Sequence, residues 1–157
     1  MLFRSGGFRA AALAVAKTFT GAMKYFYEHG DDYRRLMGPV AKPRGGSYAR
    51  LFSSQQYYGA ALVLYALRQK IGDAAFQRIE RAYVDRFRDR SVSTDDYIAL
   101  AAQVSGDKSV VPFLRDWVYG TKTPKMPGHP DWTVNPVDAA KAPTSLSAPQ
   151  ARAKKRR

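Results

Sequence analysis

The sequence predicts an all-α protein of four to five packed helices, and three observations carry that expectation. Apolar residues recur at spacings of three and four, as at Phe76, Ile79, Tyr83 and Phe87, which lines one face of a helix. Glycines at 72, 106 and 120 close the periodic stretches, where helix ends belong. Ser93 and Thr94 stand before Asp95 and Asp96, an N-cap followed by acids that suit the helix dipole.

Taken in order, residues 19–37 read as a helix rich in aromatics (Phe19, Tyr25, Phe26, Tyr27), interrupted at Gly30. Residues 39–46 hold two prolines and two glycines and read as a loop. Residues 58–71 are apolar on nearly every side, from Ala60 through Leu67, which marks a helix buried in a bundle. Asp73 opens the next helix, whose Arg78, Arg81, Asp85 and Arg88 take the faces away from its apolar stripe. A helix from Ser93 to Val104 follows, and then one with Val111, Leu114, Trp117 and Val118 on one side. Past Thr121, prolines at 124, 127, 130 and 136 end the periodicity. The chain thus divides into a helical segment and loop (1–50), a helical body (51–132) and a disordered basic tail (133–157).

A length of 157 residues suffices for one real core. Without cysteine, neither a disulfide framework nor a thiolate zinc site can form. No apolar run approaches the roughly 18 residues that a membrane-spanning helix needs. Arg4 and Arg9 precede a short, alanine-rich stretch ending in Ala14-Val15-Ala16, a weak imitation of a secretory leader. An amphipathic first helix is the preferred reading, and the compartment stays open between cytoplasmic and secreted. The net charge of +13 is uneven. Residues 51–127 carry eleven Lys or Arg against eight acids, whereas five of the last six residues are basic. The excess is a solvated flank, and no basic stripe interleaved with aromatics points to nucleic acid.

The residue inventory closes off several chemistries. There is no cysteine nucleophile, no Gly-x-Ser-x-Gly elbow and no phosphate-binding loop. The two histidines, His29 and His129, lie 100 residues apart and neither belongs to a His-Glu-x-x-His helix. Glu28-His29 reads as a solvated helix end, His129 as an exposed turn residue, and Asp95-Asp96 as helix N-terminal charge.

From Leu51 onward an ordered series of motifs appears. It comprises Leu51-Phe52, the run from Tyr57-Tyr58-Gly59-Ala60-Ala61-Leu62 to Leu67-Arg68, Ile71-Gly72-Asp73-x-Ala75-Phe76, and Ser93-Thr94-x-Asp96. Val104-Ser105-Gly106 and Phe113-Leu114-x-x-Trp117-Val118-Tyr119-Gly120 complete it. The series resembles the helical C-terminal part of the catalytic region in the membrane alanyl aminopeptidase (aminopeptidase N-like) family of zinc metallopeptidases. That resemblance implies hydrolysis of N-terminal residues from peptides. It also implies that Tyr57 is the tyrosine whose hydroxyl stabilises the oxyanion of the tetrahedral intermediate. Two departures matter. The family pattern Tyr-x-x-Gly puts its glycine on Ala60, one residue after Gly59, and a slip of one residue would exchange Tyr57 for Tyr58. Upstream, aligning Glu28-His29-Gly30 puts Lys17 where a glutamate ligand is expected, and a charged lysine cannot hold zinc. Zinc is therefore expected in the full-length family, but not bound tightly by this chain. Peptide substrates are expected only if a zinc-binding part completes the site. The alternative is a non-catalytic helical interaction module, with a protein partner covering the apolar helix at 58–71.

Overall fold

The computed structural model describes residues 18–45 and 52–137, and within them the chain is all-helical. Helix α1 occupies residues 18–28 and α2 follows as Gly30–Met37. A π-helical turn at Gln55–Gly59 leads directly into α3 (Ala60–Ile71). Then come α4 (Asp73–Phe87), α5 (Thr94–Ser105) and α6 (Val110–Tyr119). The expected amino-terminal helix is thus two helices, with the break at His29 and Gly30 opening the second.

Helices α3 to α6 close into a ring, α3 against α4, α4 against α5, α5 against α6 and α6 back against α3. Their inward stripes supply Leu62, Val63, Ala66 and Leu67 from α3, Ile79 from α4, Ile98 and Ala101 from α5, and Leu114 and Trp117 from α6. Met23, Phe26 and Tyr27 of α1 belong to the same buried cluster as the α3 residues, and the Phe19 ring meets that of Tyr65 at 5.9 Å. Among the large apolar residues of α3 only Leu64, at 36% exposure, remains open.

Local chemistry sets the helix ends. Gly72 takes φ 81°, a left-handed value that lets the chain leave α3 and enter α4 at once. Ser93 caps α5 by a reciprocal box: its Oγ accepts from the Asp96 amide at 3.1 Å, and the Asp96 carboxylate accepts from the Ser93 amide at 3.0 Å. Replacing Ser93 with alanine should cost about 1 kcal/mol, read as a lower urea midpoint at unchanged slope.

The proline-rich segment after α6 is a structural strap. Met126 and Trp132 are buried, and the Trp132 ring lies against His129, Tyr65 and Tyr27 at 4.0, 6.1 and 5.8 Å between centroids. The Asn135 amide donates to the Glu28 carbonyl at 2.8 Å, so the tie to α1 extends past 132. Residues 138–157, which include the basic end expected to be disordered, lie outside the described residues, as do the leader-like residues 1–17. No helix among the described residues is long and apolar enough to cross a membrane.

Asp31 anchors the start of this strap. Its carboxylate accepts from the Thr123 amide at 2.7 Å and from Lys122 Nζ at 3.3 Å. Burial raises its pKa, but the Thr123 and Lys122 hydrogen bonds prevail and hold the group below its ordinary 3.8. A folded-state pKa below the unfolded one means that ionised Asp31 stabilises the fold above about pH 4. That contribution is lost as pH falls through the folded value. Asp31→Asn should therefore lower the melting temperature at pH 7, and the gap to wild type should narrow as the pH falls through the folded-state pKa of Asp31.

Candidate functional site

The tyrosines singled out by sequence sit on the π-helical turn, a geometry that widens one helical turn and recurs at functional positions. The turn is fixed from within by Gln55, which is buried and donates from Nε2 to the Gly38 carbonyl at 3.3 Å. It also depends on Gly59. A Cβ there would lie 2.8 Å from Gln55 Oε1 and 3.3 Å from a Val40 methyl, so a larger residue would have to displace the Gln55 side chain. Tyr57 stands 59% exposed. Tyr58 is 37% exposed, its ring stacked on Phe26 at 4.3 Å with 10° between planes. Phe52 adds a third exposed aromatic just before the turn.

A cavity of about 440 Å³ opens on another side of the same turn, between α3, α4, α5 and α6. Its walls include Val40, Val63, Ile98, Leu114 and Val118, and its polar lining includes Gln56, Glu80 and Tyr97. Neither Tyr57 nor Tyr58 lines it; Gln56 does. Sequence reading gave Gln56 no role.

The two histidines are not brought together and each is engaged elsewhere. His29 Nδ1 donates to the Tyr25 carbonyl at 2.9 Å, and its ring lies 4.3 Å from that of Tyr25. His129 is partly buried instead of exposed: its Nε2 and the Tyr65 hydroxyl are hydrogen-bonded at 2.5 Å, and its ring stacks on Trp132. Asp95 pairs with Arg115 at 3.0 Å, while Asp96 belongs to the cap, as helix N-terminal charge should. Among the described residues no three of His, Cys, Asp and Glu are grouped to hold a metal ion.

No family model, no curated protein and no solved structure matches this chain. What the motifs do in the fold is nevertheless plain. Gly72 and Asp73 form the joint between α3 and α4, Ser93 and Asp96 cap α5, and Gly106 ends it in the left-handed conformation at φ 71°. Trp117 is wholly buried, and Gly120 ends α6 where a Cβ would collide with the Asp116 carbonyl. These residues set helix boundaries and core, and within the same motif series the turn at 55–59 carries the exposed Tyr57 and Tyr58.

Proposed function

We propose that this chain is the helical C-terminal part of a zinc-dependent aminopeptidase and is inactive without a separate zinc-binding part. The observation that carries the reading is the exposed phenol of Tyr57 on a π-helical turn whose shape depends on Gly59. A hydroxyl held on a rigid turn can donate to developing negative charge with little reorganisation, which is what an oxyanion donor requires. Tyr58 is the alternative donor, but its ring is engaged in the stack on Phe26.

The test begins with the reading frame preceding Met1. It should encode His-Glu-x-x-His and a later glutamate ligand, and a product joining both parts should hydrolyse alanyl nitroanilide. In that product Tyr57→Phe should lower kcat by about a hundredfold or more with KM little changed, and Tyr58→Phe should not. A frame without the motif, or turnover indifferent to both phenols, overturns the proposal. A second reading, a non-catalytic interaction module, is favoured by the exposure of Phe52, Tyr57 and Tyr58 within seven residues. It predicts self-association or partner capture that Phe52→Ser with Tyr57→Ser abolishes, and a strictly monomeric wild-type chain argues against self-association.

A further inference from the structure

The open cavity between α3, α4, α5 and α6 has features that the aminopeptidase reading does not use. Its volume of about 440 Å³ lies in the range of roughly 300 to 1,000 Å³ that accepts small organic ligands. Val63, Ile98, Leu114 and Val118 give it aliphatic walls, so an apolar body placed there releases water and is favoured. Among the described residues Glu80 is the one charged group in the lining.

Glu80 is held in place from one side. The Tyr97 hydroxyl donates to Glu80 Oε1 at 2.9 Å, and the Tyr83 ring meets the Tyr97 ring edge-on at 5.5 Å. Burial, and then the adjacent carboxylate, push the Tyr97 phenol far above its ordinary range, so it remains a neutral donor. Oε1 is thereby satisfied while Oε2 keeps its accepting capacity toward a ligand. The N-terminus of α5 also reaches the rim through Ser93 and Thr94, and a helix N-terminus ordinarily favours anions. Here the amides of Ser93 and Asp96 are taken by the capping box, and Asp95 is paired with Arg115 at 3.0 Å. The charge that a ligand meets in the lining is therefore the Glu80 carboxylate, which favours a cation.

We propose that this cavity binds a small apolar amine, its hydrocarbon part on the aliphatic walls and its ammonium on Glu80 Oε2. The site stands apart from the aminopeptidase reading, since neither Tyr57 nor Tyr58 contributes to it. A charge-assisted hydrogen bond in a partly desolvated site should give the amine an advantage of about tenfold or more over a neutral isostere.

Calorimetric titration of the full chain with phenylbutylamine, phenylbutanol and phenylbutyrate tests this directly. The amine should bind with unit stoichiometry, the alcohol at least about tenfold more weakly, and the carboxylate most weakly. Glu80→Gln, which keeps the Tyr97 hydrogen bond to Oε1 and adds no atoms, should bring the amine to the level of the alcohol. Ala60→Leu, which fills part of the cavity from α3, should weaken the amine and the alcohol together. If Ala60→Leu disturbs the melt, Glu80→Gln alone decides. Equal binding of amine and carboxylate, a ranking unchanged by Glu80→Gln, or no binding by any of the three overturns the proposal.

Discussion

Arg34→Met should lower the stability of the fold by about 3 kcal/mol, seen as a lower urea midpoint at unchanged slope. Arg34 is 4% exposed, which is rare for a charged side chain. Its guanidinium donates from Nη1 to the Gly120 carbonyl and from Nη2 to the Trp117 carbonyl, both at 2.8 Å. Those carbonyls lie at the C-terminus of α6, where backbone acceptors lack intrahelical partners and the dipole is negative. Burial lowers the Arg34 pKa from its ordinary value and Asp31 works in the opposite direction, but a guanidinium stays charged. Methionine fills similar length without a donor and leaves two acceptors stranded beside α2. Lysine offers one compact ammonium in place of the planar fork, so Arg34→Lys should lose about half as much. A loss below 1 kcal/mol in Arg34→Met would show that the α6 carbonyls find other donors.

The contrast between Arg34 and Ser93 explains what was legible in the sequence. The α5 cap is local: Ser93 and Asp96 sit three residues apart, and their chemistry dictates their geometry wherever the chain goes. Arg34 serves carbonyls 83 and 86 residues away, and no spacing in its own neighbourhood announces that. The same divide separates Gly72 from Gly30. Gly72 is readable as a helix end from its place between two periodic stretches. Gly30 is readable as an interruption, but the reason for it, the side chain of Thr123 lying where a Cβ would stand, comes from the far strap. His129 followed the same rule. Its Pro-Gly-His-Pro context encodes a turn, whereas its stacking on Trp132 and bond to Tyr65 depend on how that turn folds back over α3.

The candidate site was legible to a coarser degree still. Apolar periodicity marks residues 58–71 as helical but cannot register a π turn at Gln55–Gly59, since one wide turn shifts the pattern by a single residue. That one-residue shift decides which side chain enters the cavity and which stands outside it, and it separates Gln56 from Tyr57. Glu80 was equally hidden, because an acid on an amphipathic helix reads as surface until its Tyr97 partner on the next helix is placed.

Trp117→Ala should be the most damaging single change, costing about 4 kcal/mol. Trp117 has no exposed surface and belongs to the same buried cluster as Tyr27 of α1 and Leu67 of α3. Its ring lies 6.4 Å from Tyr27 on α1 and 6.1 Å from Phe113 one turn earlier on α6. Truncation removes the largest fully buried side chain and leaves a cavity that α1 and α6 cannot both close. Trp117→Phe keeps an aromatic in place and should cost less than half as much. The main chain of the same residue accepts from Arg34, so the two changes strike one turn of α6 from opposite sides. If Trp117→Ala already frays that turn, the Arg34 hydrogen bonds have less left to lose. The double variant Trp117→Ala with Arg34→Met should then be less destabilised than the sum of the singles by about 1 kcal/mol. Strict additivity would mean that the end of α6 stays helical without its indole, held by the guanidinium alone.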